Sequence, residues 1–211
     1  MMKTSIKSLL GAVLVAALFA GFGCSAPEEL SPVDYRAWVE NPDNGLLAFR
    51  ELGNYRFELQ YRPKDYILLK ENRGAVTDAA TWEAEKQSLG DLQYYSFKIS
   101  SLSGNASPLE NELQAPEEYY HRLAYLSNAV QEDLSLVQNG DTLPCRMLHL
   151  ERTYQLAPYS QLMLAFEAPP ADQGDRKLVF RDRVFGTGIV QFTLAAADLA
   201  RQPQIQLTPK S

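Results

Sequence analysis

The chain has 211 residues, of which 45% are hydrophobic and 22% are charged, and its formal net charge is −6. These values are close to those of folded globular proteins, so they exclude a mainly disordered chain. The acidic balance also argues against nucleic acid as a partner, because phosphate backbones are bound by clustered lysines and arginines.

The chain begins with a segment that is typical of an export signal. Lys3 and Lys7 precede an apolar run from Leu9 to Phe22. A membrane-spanning helix needs about 20 apolar residues, so this run is too short to act as one. We therefore predict that residues 1–23 are a signal peptide rather than a transmembrane helix.

The residues that close this run, Gly21-Phe22-Gly23-Cys24, resemble a bacterial lipobox. Gly23 matches the small residue that precedes the cysteine in that pattern, whereas Gly21 stands where leucine is usual. The resemblance implies that Cys24 is acylated and becomes the first mature residue, with the membrane as a partner through that lipid. The alternative is an ordinary cleaved signal, although its nearest cut, after Ala26, would leave Pro27 at the first mature position.

Residues 24–33 are predicted to form an extended tether, because two prolines and two glutamates lie within the eight residues after Cys24. The tether would hold a single globular domain, residues 34–211, away from the membrane surface. If Cys24 is acylated, Cys145 has no partner for a disulfide, so packing alone must stabilise this domain.

The first part of the domain is predicted to contain a short helix near Trp38 and then a β-hairpin. Asn41 to Gly45 has the composition of a turn. Leu46–Leu52 is strand-like, and Gly53-Asn54 is a compact turn pair. The residues from Tyr55 to Arg62 alternate between apolar and polar, which predicts a strand with one face in the core and a charged face in water.

Two short helices, over 63–71 and 78–89, and a strand over 92–101 are predicted next. The clearest helix of the chain is Pro116–Val130. Its apolar residues recur at helical spacing and form one stripe: Tyr119, Leu123, Leu126 and Val130.

From Leu134 onward, short strand-like segments alternate with turn signals such as Asn139-Gly140-Asp141. The predicted strands are 134–138, 147–156, 162–167, 177–183, 188–195 and 204–208. Short strands at this spacing are typical of an antiparallel sandwich or barrel. The predicted fold class is therefore α+β, with an antiparallel β-sandwich-like core and two or three short helices.

Cys145 and His149 are the first candidate catalytic pair, because a histidine within hydrogen-bond reach activates a thiol for nucleophilic attack. On an extended strand, four residues separate the two side chains by about 13 Å, which excludes direct contact. The residues after Cys145 alternate as a strand should. We therefore expect a buried free cysteine and assign no catalytic residue.

His149, Glu151 and Thr153 share one face of the same predicted strand, which favours a polar binding surface. A metal site needs three or four strong ligands, and the remaining histidine, His121, lies on a predicted helix. No metal ligand and no cofactor are therefore predicted. The stretch from Phe185 to Gly188 lacks the third glycine and the Lys-Ser/Thr of a phosphate loop, so it is predicted to be a turn.

Eleven tyrosines are present, and exposed tyrosines are effective contact residues at interfaces. Tyr94-Tyr95 and Tyr119-Tyr120 are each expected to place one ring inward and one outward. The residues that we predict for a binding face are Tyr94, Tyr120, His149 and Glu151.

The signal, the acidic tether and the α+β pattern together resemble small lipoproteins of Bacteroidota. Three stretches resemble the signature sequences of a protein family: Asn41 to Leu46, Leu143 to Tyr154, and Gly186 to Leu194. The resemblance implies a cell-envelope location, most often the outer membrane, and it implies nothing about catalysis. Asp141-Thr142-Leu143 resembles an O-glycan acceptor pattern of that phylum, which implies a glycan on Thr142, and the match lies in a predicted exposed loop.

Three functions are consistent with these features. The leading hypothesis is a lipid-anchored envelope protein whose domain binds a protein partner or stiffens an assembly without catalysis. The first alternative is an immunity or inhibitor lipoprotein that neutralises a toxin. The second is a hydrolase centred on Cys145 or on the face that carries His149 and Glu151.

Overall fold

The computed structural model describes residues 28–103, 106–151, 157–169 and 174–207. The described residues form eleven strands and five α-helices. The strands are β1 (Glu29–Leu30), β2 (Leu47–Leu52), β3 (Tyr55–Arg62), β4 (Leu92–Ser101), β5 (Leu134–Gln138), β6 (Asp141–Pro144), β7 (Met147–Glu151), β8 (Tyr159–Glu167), β9 (Arg176–Arg181), β10 (Ile189–Leu194) and β11 (Gln204–Ile205). The helices are α1 (Pro32–Glu40), α2 (Lys64–Glu71), α3 (Ala79–Ser88), α4 (Pro116–Ser127) and α5 (Ala196–Ala200).

The larger sheet has five strands in the order β2-β3-β4-β8-β7, and all of its neighbours are antiparallel. The predicted hairpin is confirmed: β2 pairs with β3, and Gly53 takes a φ of +57° at the turn. Glycine suits this turn because a side chain at positive φ would be strained. The predicted turn from Asn41 to Gly45 is also present, as a 3-10 turn over Pro42–Asn44.

The smaller sheet has four strands in the order β10-β9-β5-β6, again antiparallel. The predicted turn at Asn139-Gly140 joins β5 to β6. Both residues have positive φ, 54° and 88°, as a type I′ hairpin turn requires. Strand β6 itself was not predicted, because its four residues include a proline and do not alternate.

Aromatic side chains join the two sheets. Phe97 on β4 lies 5.3 Å from Phe180 and 6.0 Å from Phe192, and Phe57 on β3 lies 6.0 Å from Phe180, between ring centroids. All four rings are fully buried. Interdigitating side chains from two inner sheet faces are the core of a β-sandwich, so the predicted α+β class with an antiparallel sandwich-like core is confirmed.

The helices differ from the prediction in number and length. Five are present among the described residues; the predicted fold class had two or three, although four segments, those of α1 to α4, were individually predicted to be helical. Helix α4 ends at Ser127 instead of Val130, because Asn128 leaves the helical conformation and a 3-10 turn over Ala129–Asp133 follows. Helix α5 has only five residues, too few for a periodic signal in the sequence.

The fold begins earlier than predicted, within the segment assigned to the tether. Strand β1 pairs in parallel with β11, and the Gln204 amide donates to the Glu28 carbonyl at 2.8 Å. Ser31 then caps α1, which begins at Pro32. The prediction of an extended tether through residue 33 is therefore wrong at its C-terminal end, because pairing with a distant strand outweighs the local composition.

Candidate functional site

The predicted lipidation site, Cys24, and the signal peptide, residues 1–23, lie outside the described residues. Glu28, where the described fold begins, is four positions after Cys24. Even fully extended, that length spans about 14 Å. Within the described part of the chain, no helix is long and apolar enough to cross a membrane.

Cys145 lies at the corner where the chain passes from β6 in the smaller sheet to β7 in the larger one. Its side chain is 6% exposed, and its thiol donates to the Met147 carbonyl at 3.2 Å. Burial raises the pKa of the Cys145 thiol to about 11. A thiol is nucleophilic only as the thiolate, so this environment opposes the chemistry that a hydrolase would need.

The thiol of Cys145 is expected to react slowly in the folded protein. A pKa of about 11 leaves about one thiolate in a thousand at pH 8. In a Cys24→Ala variant, Cys145 is the only thiol, and labelling by Ellman's reagent measures it directly. We expect labelling to be at least about 100-fold slower in buffer than in guanidinium at the same pH.

Burial of the same thiol also makes the stability of the fold depend on pH. The pKa of Cys145 is higher in the folded chain than in the unfolded chain, so the protonated thiol favours folding. Its contribution is complete at neutral pH and is lost as the pH rises from about 8.5 towards 11. Rapid labelling of Cys145 in the folded protein at pH 8 would contradict the burial of its thiol.

His149 and Glu151 lie on β7, two residues apart, and their side chains are on one face as predicted. We call this the outer face: the side of the five-stranded sheet that points away from the four-stranded sheet. Its residues on the five strands include Phe49, Glu51, Arg56, Glu58, Arg62, Tyr94, Ser96, Lys98, Tyr159, Gln161, Met163, His149 and Glu151. Thr153, which was expected on the same face, lies outside the described residues.

Opposite charges on the outer face are paired with one another. The Glu58 carboxylate lies 2.7 Å from Lys98 Nζ and 3.3 Å from Arg56 Nε. The Gln161 amide donates to Glu151 at 2.7 Å. The Glu58 side chain is only 16% exposed, so the face that was predicted to lie in water is half-buried. The part of this surface around Glu58 is therefore nearly neutral.

Exposed side chains lie at the two edges of the outer face. Phe49 on β2 is 46% exposed, with the Arg56 guanidinium 4.2 Å from its ring centroid. Met147 and His149 on β7 are also exposed, Met147 by 47%. Large apolar side chains that remain open beside charged groups are common at sites of protein contact.

The two predicted tyrosines are not placed together. Tyr94 is on the outer face of β4, but it is half-buried, and its hydroxyl donates to the Leu89 carbonyl at 2.6 Å. Burial raises the pKa of Tyr94. Tyr120 is 69% exposed on α4, against Tyr119. Tyr94 therefore belongs mainly to the packing between the sheet and α3, whereas Tyr120 is available to solvent on a different element.

Thr142 is exposed, as a glycan acceptor must be, but it is not in a loop. It lies on β6, the edge strand of the smaller sheet, and pairs with Val137. The expectation of an exposed loop is therefore wrong, because the hairpin at Asn139-Gly140 continues into paired backbone. The side chain still points away from the core.

The glycine-bearing stretch from Phe185 to Gly188 is a turn, as predicted, between β9 and β10. The Asp182 carboxylate holds it, accepting from the amides of Val184 and Phe185 at 2.8 Å and of Thr187 at 2.6 Å. These donors are bound to a residue of the chain itself, so they are not a phosphate site. His121 is exposed on α4, whereas His149 is exposed on β7.

Sequence analysis did not predict the burial of charged residues, among them Arg122 and Arg62. Arg122 on α4 is 8% exposed and donates to the carbonyls of Pro108 and Asn111 at 2.8 and 2.7 Å. Arg62, at the end of β3, is also 8% exposed. The sequence feature that could have predicted the burial of Arg62 was Pro63. This proline ends the strand and lets α2 fold back over the outer face.

No group of three or more metal-ligating side chains exists among the described residues. Comparisons of the chain with family models, curated proteins and solved structures find no match. Function must therefore be argued from the residues and their geometry.

Proposed function

We propose that this chain is a lipid-anchored envelope protein whose folded domain binds a protein partner without catalysis. The observation that carries the proposal is the position of Cys24. It closes an apolar export segment, and the described fold begins only four residues after it. An acylated cysteine at this point would attach the domain to a membrane directly at β1.

The short connection has a consequence for orientation. A link of at most about 14 Å would keep the end of the domain that carries β1 and β11 close to the lipid. That end bears Glu28, Glu29 and Asp34, which an anionic membrane surface repels. The acyl chains, rather than the protein surface, would supply the attachment.

The absence of catalysis is supported by the surroundings of the candidate residues. Cys145 is buried with a raised pKa, and its hydrogen bond goes to a backbone carbonyl rather than to His149. Glu151 is hydrogen-bonded to Gln161, so it does not orient the histidine as a second member of a dyad would. The exposed residues at the edge of β7, Met147 and His149, favour contact with another protein.

Lipidation is tested by replacing the proposed acceptor. The Cys24→Ala variant is expected to lose all incorporation of labelled palmitate and to move from the membrane fraction to the soluble fraction, because two or more acyl chains are needed for stable anchoring. Cys145→Ala is the matched control and should keep both properties. Membrane retention of Cys24→Ala at the wild-type level would overturn the anchor.

Partner binding is tested in intact cells with a photo-crosslinking residue at position 149. We expect one recurrent crosslinked protein, because His149 lies on the exposed edge of the outer face. Lys177, exposed on β9 in the other sheet, is the control position and should give no such product. Identification of a toxin as the crosslinked protein would favour the immunity alternative, and equal products at both positions would contradict the assigned face.

The intact mass of the purified mature protein checks both modifications at once. A mass that acyl chains alone account for would show that Thr142 is unmodified and would rule out the glycan. A further mass of whole hexose units that is lost in Thr142→Ala would place the glycan on β6.

A further inference from the structure

Arg62 is the last residue of β3, and its side chain lies on the outer face with 8% of its surface exposed. Its Nη1 lies 2.8 Å from the Met163 sulfur on β8. Strand β4 lies between β3 and β8 in the sheet. The guanidinium therefore crosses β4, above the backbone positions of Tyr94 and Ser96, which pair with Arg62 and Met163.

The charge of Arg62 has no acidic partner among the described residues. No hydrogen bond or ion pair connects it to a carboxylate among the described residues, and its buried Nε has no hydrogen-bond acceptor. The thioether of Met163 accepts hydrogen bonds only weakly. A buried guanidinium without a counter-charge is unfavourable, and such groups are normally paired or bound to an anion.

A second cation, Lys70, lies close to the same aromatic ring as Arg62. The Tyr66 ring on α2 has the Arg62 guanidinium 5.2 Å and Lys70 Nζ 5.6 Å from its centroid. The pKa of Lys70 is lowered, chiefly by burial and then by the charge of Arg62. Two positive charges close to one ring create a local field that favours an anion.

The carboxylates nearest to this pair are already engaged. Glu40 accepts hydrogen bonds from Tyr66 at 2.7 Å and from Arg36 at 3.0 Å. Glu151 accepts from Gln161 at 2.7 Å. The charges of Glu40 and Glu151 act to raise the pKa of Lys70, but neither carboxylate forms an ion pair with Arg62 or Lys70. The positive charge is thus only partly offset.

Ser96 adds a hydroxyl to the same part of the outer face. It is 8% exposed, and no hydrogen bond within the described ranges uses its hydroxyl. His149 pairs with Met163 from the other side, on β7, and is exposed. Arg62 and Lys70 would thus supply the charge, Ser96 a neutral donor, and His149 a residue at the rim.

We propose that Arg62 and Lys70 bind an oxyanion, a carboxylate or a phosphate group, on the outer face between α2 and β7. A guanidinium has parallel N–H donors that match either group, and a lysine adds a single point charge. The site requires neither the lipid anchor nor a protein partner, so it goes beyond the proposed function.

The test is a titration of the purified mature protein in detergent, at constant ionic strength, with sodium phosphate and with sodium acetate against sodium chloride. We expect the thermal midpoint to rise with at least one of the two oxyanions. A response to phosphate, to acetate or to both supports the site and identifies the preferred group. No rise with either anion relative to chloride would overturn it.

Variants assign the response to these residues. Arg62→Met should abolish it, and Lys70→Met should weaken the apparent affinity about tenfold, whereas Lys98→Met, a cation on the same face that is paired with Glu58, should leave it unchanged. An undiminished response in Arg62→Met would overturn the assignment. If that variant fails to fold, the Arg62 Nε–Hε resonance of the wild-type protein should shift on addition of the effective anion, and an unmoved resonance would overturn it equally.

Discussion

Replacing Phe97 with alanine is expected to lower the free energy of unfolding by about 3–5 kcal/mol. Phe97 is fully buried at the centre of the sandwich, and its ring lies 6.1, 5.3 and 6.0 Å from those of Phe57, Phe180 and Phe192. Alanine would leave a cavity at the contact between the two sheets. Because domains of this kind are stable by about 5–15 kcal/mol, the loss would be a large part of the total.

Urea unfolding, followed by circular dichroism, measures this change. Phe49→Ala is the matched control, since Phe49 lies on the same sheet but is 46% exposed. It contacts Arg56 only at the surface, so its loss should cost about 1 kcal/mol or less. Equal losses in the two variants would mean that Phe97 does not lie between the sheets.

The second large effect is expected at Asp133, which is 4% exposed at the end of the 3-10 turn before β5. Its carboxylate accepts from the Tyr125 hydroxyl at 2.9 Å and from Arg183 Nε at 2.8 Å. These bonds join α4 to the turn that follows β9. Asp133→Ala would leave the buried Tyr125 hydroxyl without its acceptor, at a cost of about 2–4 kcal/mol.

Glu132→Ala provides a control at the neighbouring position, because Glu132 is exposed. Its effect on the free energy of unfolding, measured with urea, should be within about 0.5 kcal/mol. Tyr125→Phe removes only the donor and leaves the Asp133 carboxylate bound to Arg183, so it should cost less than Asp133→Ala. A milder effect for Asp133→Ala than for Glu132→Ala would show that the carboxylate does not hold α4.

The two proposals assign different tasks to different parts of the domain, the β1–β11 pair and the five-stranded sheet. Acylation at Cys24 would fix the end near β1, whereas the oxyanion site lies under α2 and beside the edge strand β7. Both can be tested on one set of variants, because Cys24→Ala removes the anchor without touching Arg62 or Lys70. Anion binding that persists in Cys24→Ala would separate the site from the membrane attachment.

Local patterns were sufficient for the elements whose signal is contained within a few residues. The alternation from Tyr55 to Arg62 predicted β3, and Gly53 and Gly140 marked the two hairpin turns. The stripe along α4 predicted that helix, and its Leu126 is fully buried. A two-residue or 3.6-residue period depends on one strand or one helix alone, so sequence by itself determined these elements and the α+β class.

The same patterns failed where distant segments decide the outcome. Glu29 and Leu30 have the composition of a tether, yet they pair with β11, nearly the whole chain away. Arg62 occupies a polar position of an alternating strand, yet α2 folds over it. Sequence alone therefore established an acidic domain of the α+β class with a sandwich-like core, and it predicts an export signal that ends on a cysteine placed for acylation. Only the tertiary structure decided which charges are buried, because burial depends on which elements pack over a residue and not on its neighbours along the chain.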